Sequence, residues 1–406
     1  MGSLNPAPVL IIGGGFGGLN LAQGLRKSNI PFRVFERDAS SHFRIQGYRI
    51  RIDDAGAAGL RTNLPTNLWE RFEKSSATTV MGMTAINALD GKTFIRIEGA
   101  KGLPTQYDNT PYTADRRVTR DILLTGIEDA VTWGKEFTHY TLTSSGVTAH
   151  FADGTCYEGS LLVGADGVRS LVRKQLLPTH PPLDSQGRAI YGKTYFSDEL
   201  VASLPEDVLR WITLIQDQKS YEHPVTLLCE PTRFQDSEFR ANLPQNYMYW
   251  VLGSHIRSFE AADDTSKDNL LRLSHAEAQD LALKVTKDWD ASARALIAHA
   301  DAGQTSVVRI STIIPSMPPW TPSRVTVLGD AIHAMPPTAG KGANTALKDG
   351  ATLAAAIAEK GVGIEAVGVY EEAMRGYAEE AVEASYGPAV MMLGLPEFEE
   401  CEAVAY

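Results

Sequence analysis

The stretch that decides the fold is residues 8–18, which read PVLIIGGGFGG. Its first five residues have the composition of a short buried strand in a parallel sheet. Gly13, Gly15 and Gly18 follow with the spacing Gly-x-Gly-x-x-Gly, and residues 19–29 have the apolar spacing of a helix. The order of strand, glycine turn and helix predicts the first part of a βαβ unit.

A second strand is predicted at residues 31–37, PFRVFER, which ends with Glu36 and Arg37. In a dinucleotide-binding turn the first glycine allows the tight turn, the second lets the backbone approach a pyrophosphate, and the third lets helix and strand pack closely. The helix N-terminus attracts the phosphates, and a carboxylate such as Glu36 accepts hydrogen bonds from the adenosine ribose. We therefore predict a dinucleotide site here, with Gly13, Gly15, Gly18, Glu36 and Arg37 as cofactor-binding residues, although this motif alone leaves a structural turn possible and does not separate FAD from NAD.

The composition limits the class of protein. The chain has 406 residues and a formal net charge of −11, so its length predicts two domains and its charge disfavours nucleic acid as a partner. The three cysteines, Cys156, Cys229 and Cys401, have no metal-binding spacing. No apolar run reaches the roughly 18 residues that a membrane span needs, and the N-terminus lacks the basic region of a secretory signal. We expect a cytoplasmic protein without a metal.

The sequence pattern changes twice along the chain. Between about 183 and 315, Pro, Asp and Ser interrupt short strands, whereas a buried strand at 324–330 and alanine-rich helical stretches at 341–359 and 365–386 restore the first pattern. This return predicts an α/β fold with a discontinuous Rossmann-like domain, an inserted domain with a mixed β-sheet, and C-terminal helices. The predicted boundaries are 1–75, 102–182 and 316–395 for the first domain, 76–101 and 183–315 for the second, and 396–406 for a loosely held tail. Long helical stretches are also expected from Asp115 to Ala130 and from Lys267 to Ala300.

Two later motifs separate FAD from NAD. The first is Gly164-Ala165-Asp166-Gly167 with Ser170, and the second is Gly329-Asp330 with the loop Pro337-x-x-Gly340-x-Gly342-Ala343-Asn344. In these two motifs and the glycine turn, the sequence resembles the class A flavoprotein monooxygenases of the para-hydroxybenzoate hydroxylase type. The matches occur at both ends and in the middle of the chain, in the order that the family has. Residues 183–315 match the family only in their general pattern of short, interrupted strands.

The resemblance implies a tightly bound FAD and assigns roles to individual residues. Asp330 would hold the ribityl chain, and the loop from Gly340 to Asn344, including Gly342 and Ala343, would offer N–H groups to the pyrimidine edge of the flavin. Asp166 would serve the FAD phosphates and the approach of NAD(P)H, or it is only a turn and cap residue. Arg44 and Arg116 match cofactor-contacting arginines, or they form surface ion pairs, and Arg120 is one helical turn from Arg116 and could replace it.

The chain departs from the family pattern in the strand after Arg44. Many relatives have Gly-Ala-Gly-Ile there, whereas this chain has Gly47-Tyr48-Arg49-Ile50 followed by Arg51. Arg49 and Arg51 lie on the same strand face. Two interpretations remain open: contact with the flavin or an anionic substrate, or solvation at the edge of a sheet.

The family implies a reaction in which NAD(P)H, bound transiently, reduces the flavin, and the reduced flavin captures O2 as a C4a-hydroperoxide that hydroxylates or epoxidises an aromatic or polycyclic small molecule. A flavin oxidase or reductase, a Baeyer–Villiger-type oxygenase and a non-catalytic flavin-binding protein are the alternatives. Because the cofactor performs the chemistry, the protein needs only a proton-transfer group, for which Tyr195 is the first candidate and Tyr191, His223 and His255 are others. We expect a monomer or a homodimer.

Overall fold

The structure is a computed structural model, which describes residues 7–41, 43, 48–99, 111–217, 223–263 and 267–404. In chain order its strands are β1 (Val9–Ile12), β2 (Phe32–Phe35), β3 (Arg49–Ile52), β4 (Gly82–Asn87), β5 (Thr93–Glu98), β6 (Tyr112–Asp115), β7 (Val131–Thr132), β8 (Phe137–Leu142), β9 (Val147–Phe151), β10 (Cys156–Gly159), β11 (Leu161–Gly164), β12 (Leu183–Tyr195), β13 (Ile212–Asp217), β14 (Val225–Thr232), β15 (Tyr247–His255), β16 (Ser306–Thr312), β17 (Val325–Val327) and β18 (Glu402–Ala403). Its α-helices are α1 (Phe16–Lys27), α2 (Asp54–Asn63), α3 (Thr66–Ser75), α4 (Arg116–Leu124), α5 (Leu171–Leu176), α6 (Asp198–Ser203), α7 (Ile256–Asp263), α8 (Lys267–Leu270), α9 (His275–Val285), α10 (Ala291–Ala298), α11 (Asp330–His333), α12 (Gly342–Lys360) and α13 (Ile364–Leu393).

The first sheet is parallel and has five strands in the order β17-β11-β1-β2-β7. Its central strand β1 is buried along its whole length, as the apolar run before the glycine turn predicts. Because the strands are parallel, their carboxyl ends meet at one edge of the sheet. The residues that follow β1, β2, β11 and β17 therefore come together, although those after β1 and β17 are more than three hundred positions apart in the sequence.

The second sheet is mixed and contains eight strands. Seven lie in the order β16-β12-β15-β14-β13-β4-β5, and β18 pairs with β12. One face carries residues such as Trp250 and Leu227, which pack with apolar residues of the helices α6, α7, α9 and α10. Tyr247 and Tyr249 on the other face belong to the apolar core that also contains the parallel sheet. This second face therefore lies against the parallel-sheet domain.

The two long C-terminal helices connect these parts. Helix α12 packs against α1 and α2, and Gly342 in its first turn lies near Asp330 at the start of α11. Helix α13 has 30 residues, and its end contributes Ala389 and Leu393 to a small apolar cluster with Ala189 and Ile310 of the mixed sheet. The predicted α/β class with C-terminal helices is confirmed. Among the described residues, none of the helices combines the length and the hydropathy needed to cross a membrane.

The stretch expected to be helical from Lys267 to Ala300 contains the three separate helices α8, α9 and α10. Two other local predictions were wrong. The helix expected from Asp115 to Ala130 ends at Leu124, because the chain turns at Gly126, whose φ of +80° favours glycine. The tail is not loose up to residue 404, because β18 joins the mixed sheet and Phe398 stacks on Tyr386 with ring centroids 3.8 Å apart.

Candidate functional site

The glycine turn after β1 has two closely packed positions and one open position. A Cβ atom on Gly13, whose φ is +113°, would lie 2.1 Å from the carbonyl oxygen of Ala165, and one on Gly18 would lie 2.4 Å from the carbonyl oxygen of Gly13. A Cβ on Gly15 would have no heavy atom within 4 Å. Gly15 is also the N-cap of α1, so no side chain caps the first N–H groups of this helix. The turn thus leaves open space where a pyrophosphate would approach a helix N-terminus.

Glu36 lies at the end of β2 and supports this turn. Its carboxylate accepts a hydrogen bond from the Gly14 amide at 2.7 Å and another from the Asp38 amide at 3.0 Å. A carboxylate offers about four acceptor sites, so it can still accept hydrogen bonds from a ribose. Arg37, the next residue, is exposed. The ribose contact of Glu36 and a cofactor contact of Arg37 stay predictions.

Arg120 contacts the turn more directly than Arg116 does. The Arg120 guanidinium donates hydrogen bonds to the carbonyl oxygens of Gly14 at 3.0 Å and Ser41 at 2.7 Å, and it lies 3.8 Å from the Glu36 carboxylate. The Arg116 guanidinium lies 5.8 Å from the ring centroid of Phe16, the first residue of α1. Both side chains therefore lie at the turn, whereas Arg44 falls outside the described residues.

Asp166 caps the helix that follows it. Its carboxylate accepts hydrogen bonds from the Ser170 hydroxyl at 2.5 Å and from the amides of Leu171 and Val172 at 2.9 and 3.3 Å. Burial raises the pKa of Asp166 above its usual value, although these hydrogen bonds act in the opposite direction. The structure supports the turn-and-cap interpretation, and a role in the approach of NAD(P)H stays a prediction.

Asp330 and the loop after Pro337 lie beside each other at the same edge of the parallel sheet. Asp330 begins α11 and is exposed, directly after Gly329, whose φ is +62°. A Cβ on Gly342 would lie 3.8 Å from Asp330 Oδ1, and a Cβ on Gly340 would have no heavy atom within 4 Å. Gly342 and the half-buried Ala343 begin α12, whose first N–H groups have no capping side chain. The loop therefore has space and donors for an anionic ring edge.

Asn344 braces this loop from within. Its side-chain amide donates hydrogen bonds to the carbonyl oxygens of Gly340 at 2.8 Å and Arg51 at 2.9 Å, and its oxygen accepts the Asp53 amide at 2.9 Å. Asn344 is buried. Its side chain thus joins the loop to β3 and to the start of α2, and we assign it a structural role; a backbone contact with a flavin stays a prediction.

Asp349 is a support that the sequence reasoning missed. This fully buried carboxylate accepts hydrogen bonds from the Gly329 amide at 2.7 Å, from His333 Nε2 at 2.6 Å and from the Tyr377 hydroxyl at 2.6 Å. Burial alone would lower the pKa of His333, but the charge and hydrogen bond of Asp349 raise it above its ordinary value. The sequence signal for this supporting role was a single aspartate within the alanine-rich helix α12.

The face of the mixed sheet that lies against the parallel-sheet domain carries aromatic and ionisable side chains. Tyr191, Lys193 and Tyr195 alternate on β12, and Lys193 lies opposite Tyr249 in the ladder with β15. The hydroxyl of Tyr195 accepts a hydrogen bond from Gln304 Nε2 at 2.8 Å. Tyr195 is thus on this inner face, and its catalytic role stays a prediction.

Arg49 and Arg51 extend from β3 to this face and contact the same carboxylate, Glu230 on β14. Their side chains are 10% and 17% exposed, and that of Glu230 is 3% exposed. The interpretation of solvated edge charges is therefore wrong. Nothing in the sequence around Glu230 showed that this residue of the inserted segment would face β3.

Comparison with known proteins agrees with this geometry. Residues 6–384 match the family described as FAD binding domain. The dual O-methyltransferase/FAD-dependent monooxygenase CTB3 of Cercospora beticola is 39% identical, over 100% of this chain and 48% of that protein. The dual O-methyltransferase/FAD-dependent monooxygenase elcB of Phaeosphaeria nodorum is 43% identical, over 85% of this chain and 40% of that protein. The chain thus spans less than half the length of either relative.

Solved structures show the same fold. A protein of Photorhabdus luminescens described as an FAD-containing monooxygenase superposes with a TM-score of 0.78 at 29% identity, over 95% of this chain and 98% of that chain. HpxO of Klebsiella pneumoniae, solved with FAD and uric acid, superposes with a TM-score of 0.73 at 22% identity, over 95% and 89% of the two chains. With a glycine turn and an Asp330 loop that fit FAD, and with a family match over nearly its whole length, the chain belongs to the FAD binding domain family of class A flavin monooxygenases.

Proposed function

We propose that this chain is a monooxygenase that uses FAD, NAD(P)H and O2 to hydroxylate or epoxidise an aromatic or polycyclic small molecule. One observation carries the proposal: Gly15 and the Asp330 loop, from opposite ends of the chain, meet at the carboxyl edge of one parallel sheet, and both Gly15 and Gly340 border open space. When bound, FAD would accept a hydride and transfer one oxygen atom of O2 to the substrate.

The chain's own residues would bind and orient that cofactor. The N-terminus of α1 would face the pyrophosphate, Glu36 would accept the ribose hydroxyls, and Asp330 would accept those of the ribityl chain. The N-terminus of α12 would direct N–H groups at the pyrimidine edge of the flavin, where negative charge develops on reduction. No second Gly-x-Gly-x-x-Gly follows a later strand in the sequence, which supports a transient NAD(P)H.

The inner face of the mixed sheet supports an aromatic substrate. Tyr48 and Tyr191 have ring centroids 5.2 Å apart, and those of Tyr191 and Tyr249 are 6.2 Å apart, so a row of aromatic rings borders this face. Such rings pack well against flat polycyclic molecules. CTB3 and elcB join a monooxygenase to an O-methyltransferase. Since O-methylation requires a hydroxyl group, we infer a hydroxylated aromatic substrate for this chain.

The test is oxygen incorporation. FAD-loaded protein would receive hydroxynaphthalenes and hydroxyanthraquinones under ¹⁸O2, with NADH or NADPH. We expect one labelled oxygen atom in the product and the other in water, for each NAD(P)H consumed. Hydrogen peroxide without labelled product across the panel would contradict the proposal and favour a flavin oxidase or reductase. A cytoplasmic location and a monomeric or homodimeric state remain predictions.

A further inference from the structure

Arg49 and Arg51 form a largely buried cationic pair between the two parts of the proposed active site. The carbonyl oxygen of Arg51 accepts a hydrogen bond from Asn344 in the proposed flavin loop. Their side chains contact Glu230 on the inner face of the mixed sheet. The backbone of Arg51 thus ties this pair to the proposed flavin loop. The two side chains reach the inner face of the mixed sheet, where we place the substrate.

Arg49 keeps donor capacity that the protein does not use. A guanidinium has five N–H donors, and the Nε of Arg49 has no hydrogen-bond acceptor among the residues that the structure describes. Its guanidinium lies 5.4 Å from the ring centroid of Tyr249. Burial lowers the pKa of Arg49 to about 10, so the side chain remains charged at neutral pH. A largely buried arginine with an unused donor is suited to binding an anion.

The neighbouring carboxylate, Asp115, is already engaged. Its Oδ2 accepts a hydrogen bond from the Tyr247 hydroxyl at 2.9 Å and lies 3.4 Å from Lys193 Nζ. Asp115 is paired with Arg49 in the β3–β6 ladder, and Arg116 follows it at the start of α4. The hydroxyls of Tyr247 and Tyr249 also act on Arg49. Two carboxylates, Glu230 and the engaged Asp115, thus lie among the cations Arg49, Arg51 and Lys193, and this excess of positive charge favours an incoming anion.

We propose that Arg49 selects the substrate by binding its acidic hydroxyl as a phenolate or enolate, in competition with the carboxylate of Glu230. The proposal rests on the proposed function, because it assigns the form in which that substrate is bound. An ionised oxygen makes the attached ring richer in electrons, which favours oxygen transfer to a ring carbon. The guanidinium would recognise the anion by charge-assisted hydrogen bonds.

The test uses a probe that carries its charge at neutral pH. The acidic enol 2-hydroxy-1,4-naphthoquinone, which ionises, would be compared with its neutral methyl ether by titration of the flavin absorbance of the FAD-loaded protein. We expect the anion to bind more tightly than the ether. Arg49→Met should weaken the anion roughly 10- to 100-fold and leave the ether unchanged, since it removes only charge-assisted bonds. Arg49→Lys should retain part of the preference.

Glu230→Gln distinguishes this role from a structural one. Removing the competing carboxylate should tighten binding of the anion, whereas loss of a merely structural ion pair would weaken both probes. Arg61→Met is the matched control, because Arg61 pairs with Glu73 but is 65% exposed on α2. Equal binding of the two probes to the unaltered protein, or weaker anion binding in Glu230→Gln, would overturn the proposal. Labelled-oxygen incorporation is measured separately, so a failure of the monooxygenase reaction with intact anion preference would count only against the proposed function.

Discussion

Asp349 accepts a 2.7 Å hydrogen bond from the backbone amide of Gly329, the residue immediately before Asp330. Asp349 lies on α12, whose N-terminus forms the proposed flavin loop, and Gly329 begins the turn that presents Asp330. This contact therefore fixes the spacing between two parts of the FAD site. His333 and Tyr377 donate to the same carboxylate and complete the support.

Asp349→Asn should weaken both the fold and the binding of FAD. The amide that replaces one oxygen would direct N–H groups at buried donors, and breaking a buried charged contact costs about 3 kcal/mol. Urea denaturation and FAD titration would measure the two effects. Tyr377→Phe is the milder comparison, since it removes one donor and leaves the contact between Asp349 and Gly329. Equal FAD affinity in Asp349→Asn and the unaltered protein would contradict this role.

Gly15→Ala and Gly18→Ala should separate cofactor binding from folding. The Cβ at position 15 enters the open space of the proposed pyrophosphate site, so the protein without FAD should keep its stability while FAD binds at least about 10-fold more weakly. The Cβ at position 18 would overlap the Gly13 carbonyl, so the free energy of unfolding should fall by about 1–3 kcal/mol. Thermal unfolding without FAD, together with FAD titration, tests both. Unaltered FAD affinity in Gly15→Ala would refute the placement of the pyrophosphate.

Asp330→Ala and Glu36→Ala should both weaken the retention of FAD, for different reasons. Asp330 is exposed, so its loss should leave the stability of the FAD-free protein unchanged. Glu36 also accepts the amides of Gly14 and Asp38, so its loss should lower that stability by about 1–3 kcal/mol. Flavin absorbance after gel filtration and denaturation of the FAD-free protein provide the two readouts. Full flavin occupancy in both variants would disprove these residue assignments.

The free energy of unfolding should fall as the pH decreases from about 6.5 to about 4, because the folded protein disfavours protonation of His255. Burial, followed by the charges of His223 and of nearby arginines, lowers the pKa of His255 from 6.5 to about 4. In this window the unfolded chain binds a proton at this position and the folded chain does not, so acid favours unfolding. His255→Gln should reduce the slope of the unfolding free energy against pH, measured in urea between pH 7.5 and 4.5. An identical slope in this variant would show that His255 does not contribute.

The parts of the site that obey local rules were predictable from sequence. The spacing of Gly13, Gly15 and Gly18 after an apolar run follows from the backbone geometry of a strand–turn–helix connection. Gly329 and Asp330 follow a second buried strand, and parallel strands of one sheet bring these turns together. The fold class was predictable for the same reason, because buried strands and the helices between them leave strong apolar patterns.

The parts that depend on distant packing were not predictable. Glu230 meets Arg49 and Arg51 only because one face of β14 lies against β3, and alternating residues do not reveal which element covers each face. Asp349 acquires its role from a turn 20 residues earlier in the chain. The tail residues around Phe398 read as an acidic end, yet a few apolar side chains suffice to hold them against α13.

The visible absorbance of the purified protein, after reconstitution with FAD and gel filtration, tests the central claim most directly. The structure brings the two ends of the chain together as one site, so we expect the flavin bands with one FAD for each chain. We expect Gly15→Ala and Asp330→Ala each to reduce that occupancy although they alter opposite ends of the sequence. A colourless protein that retains no FAD, while circular dichroism shows it to be folded, would contradict the account.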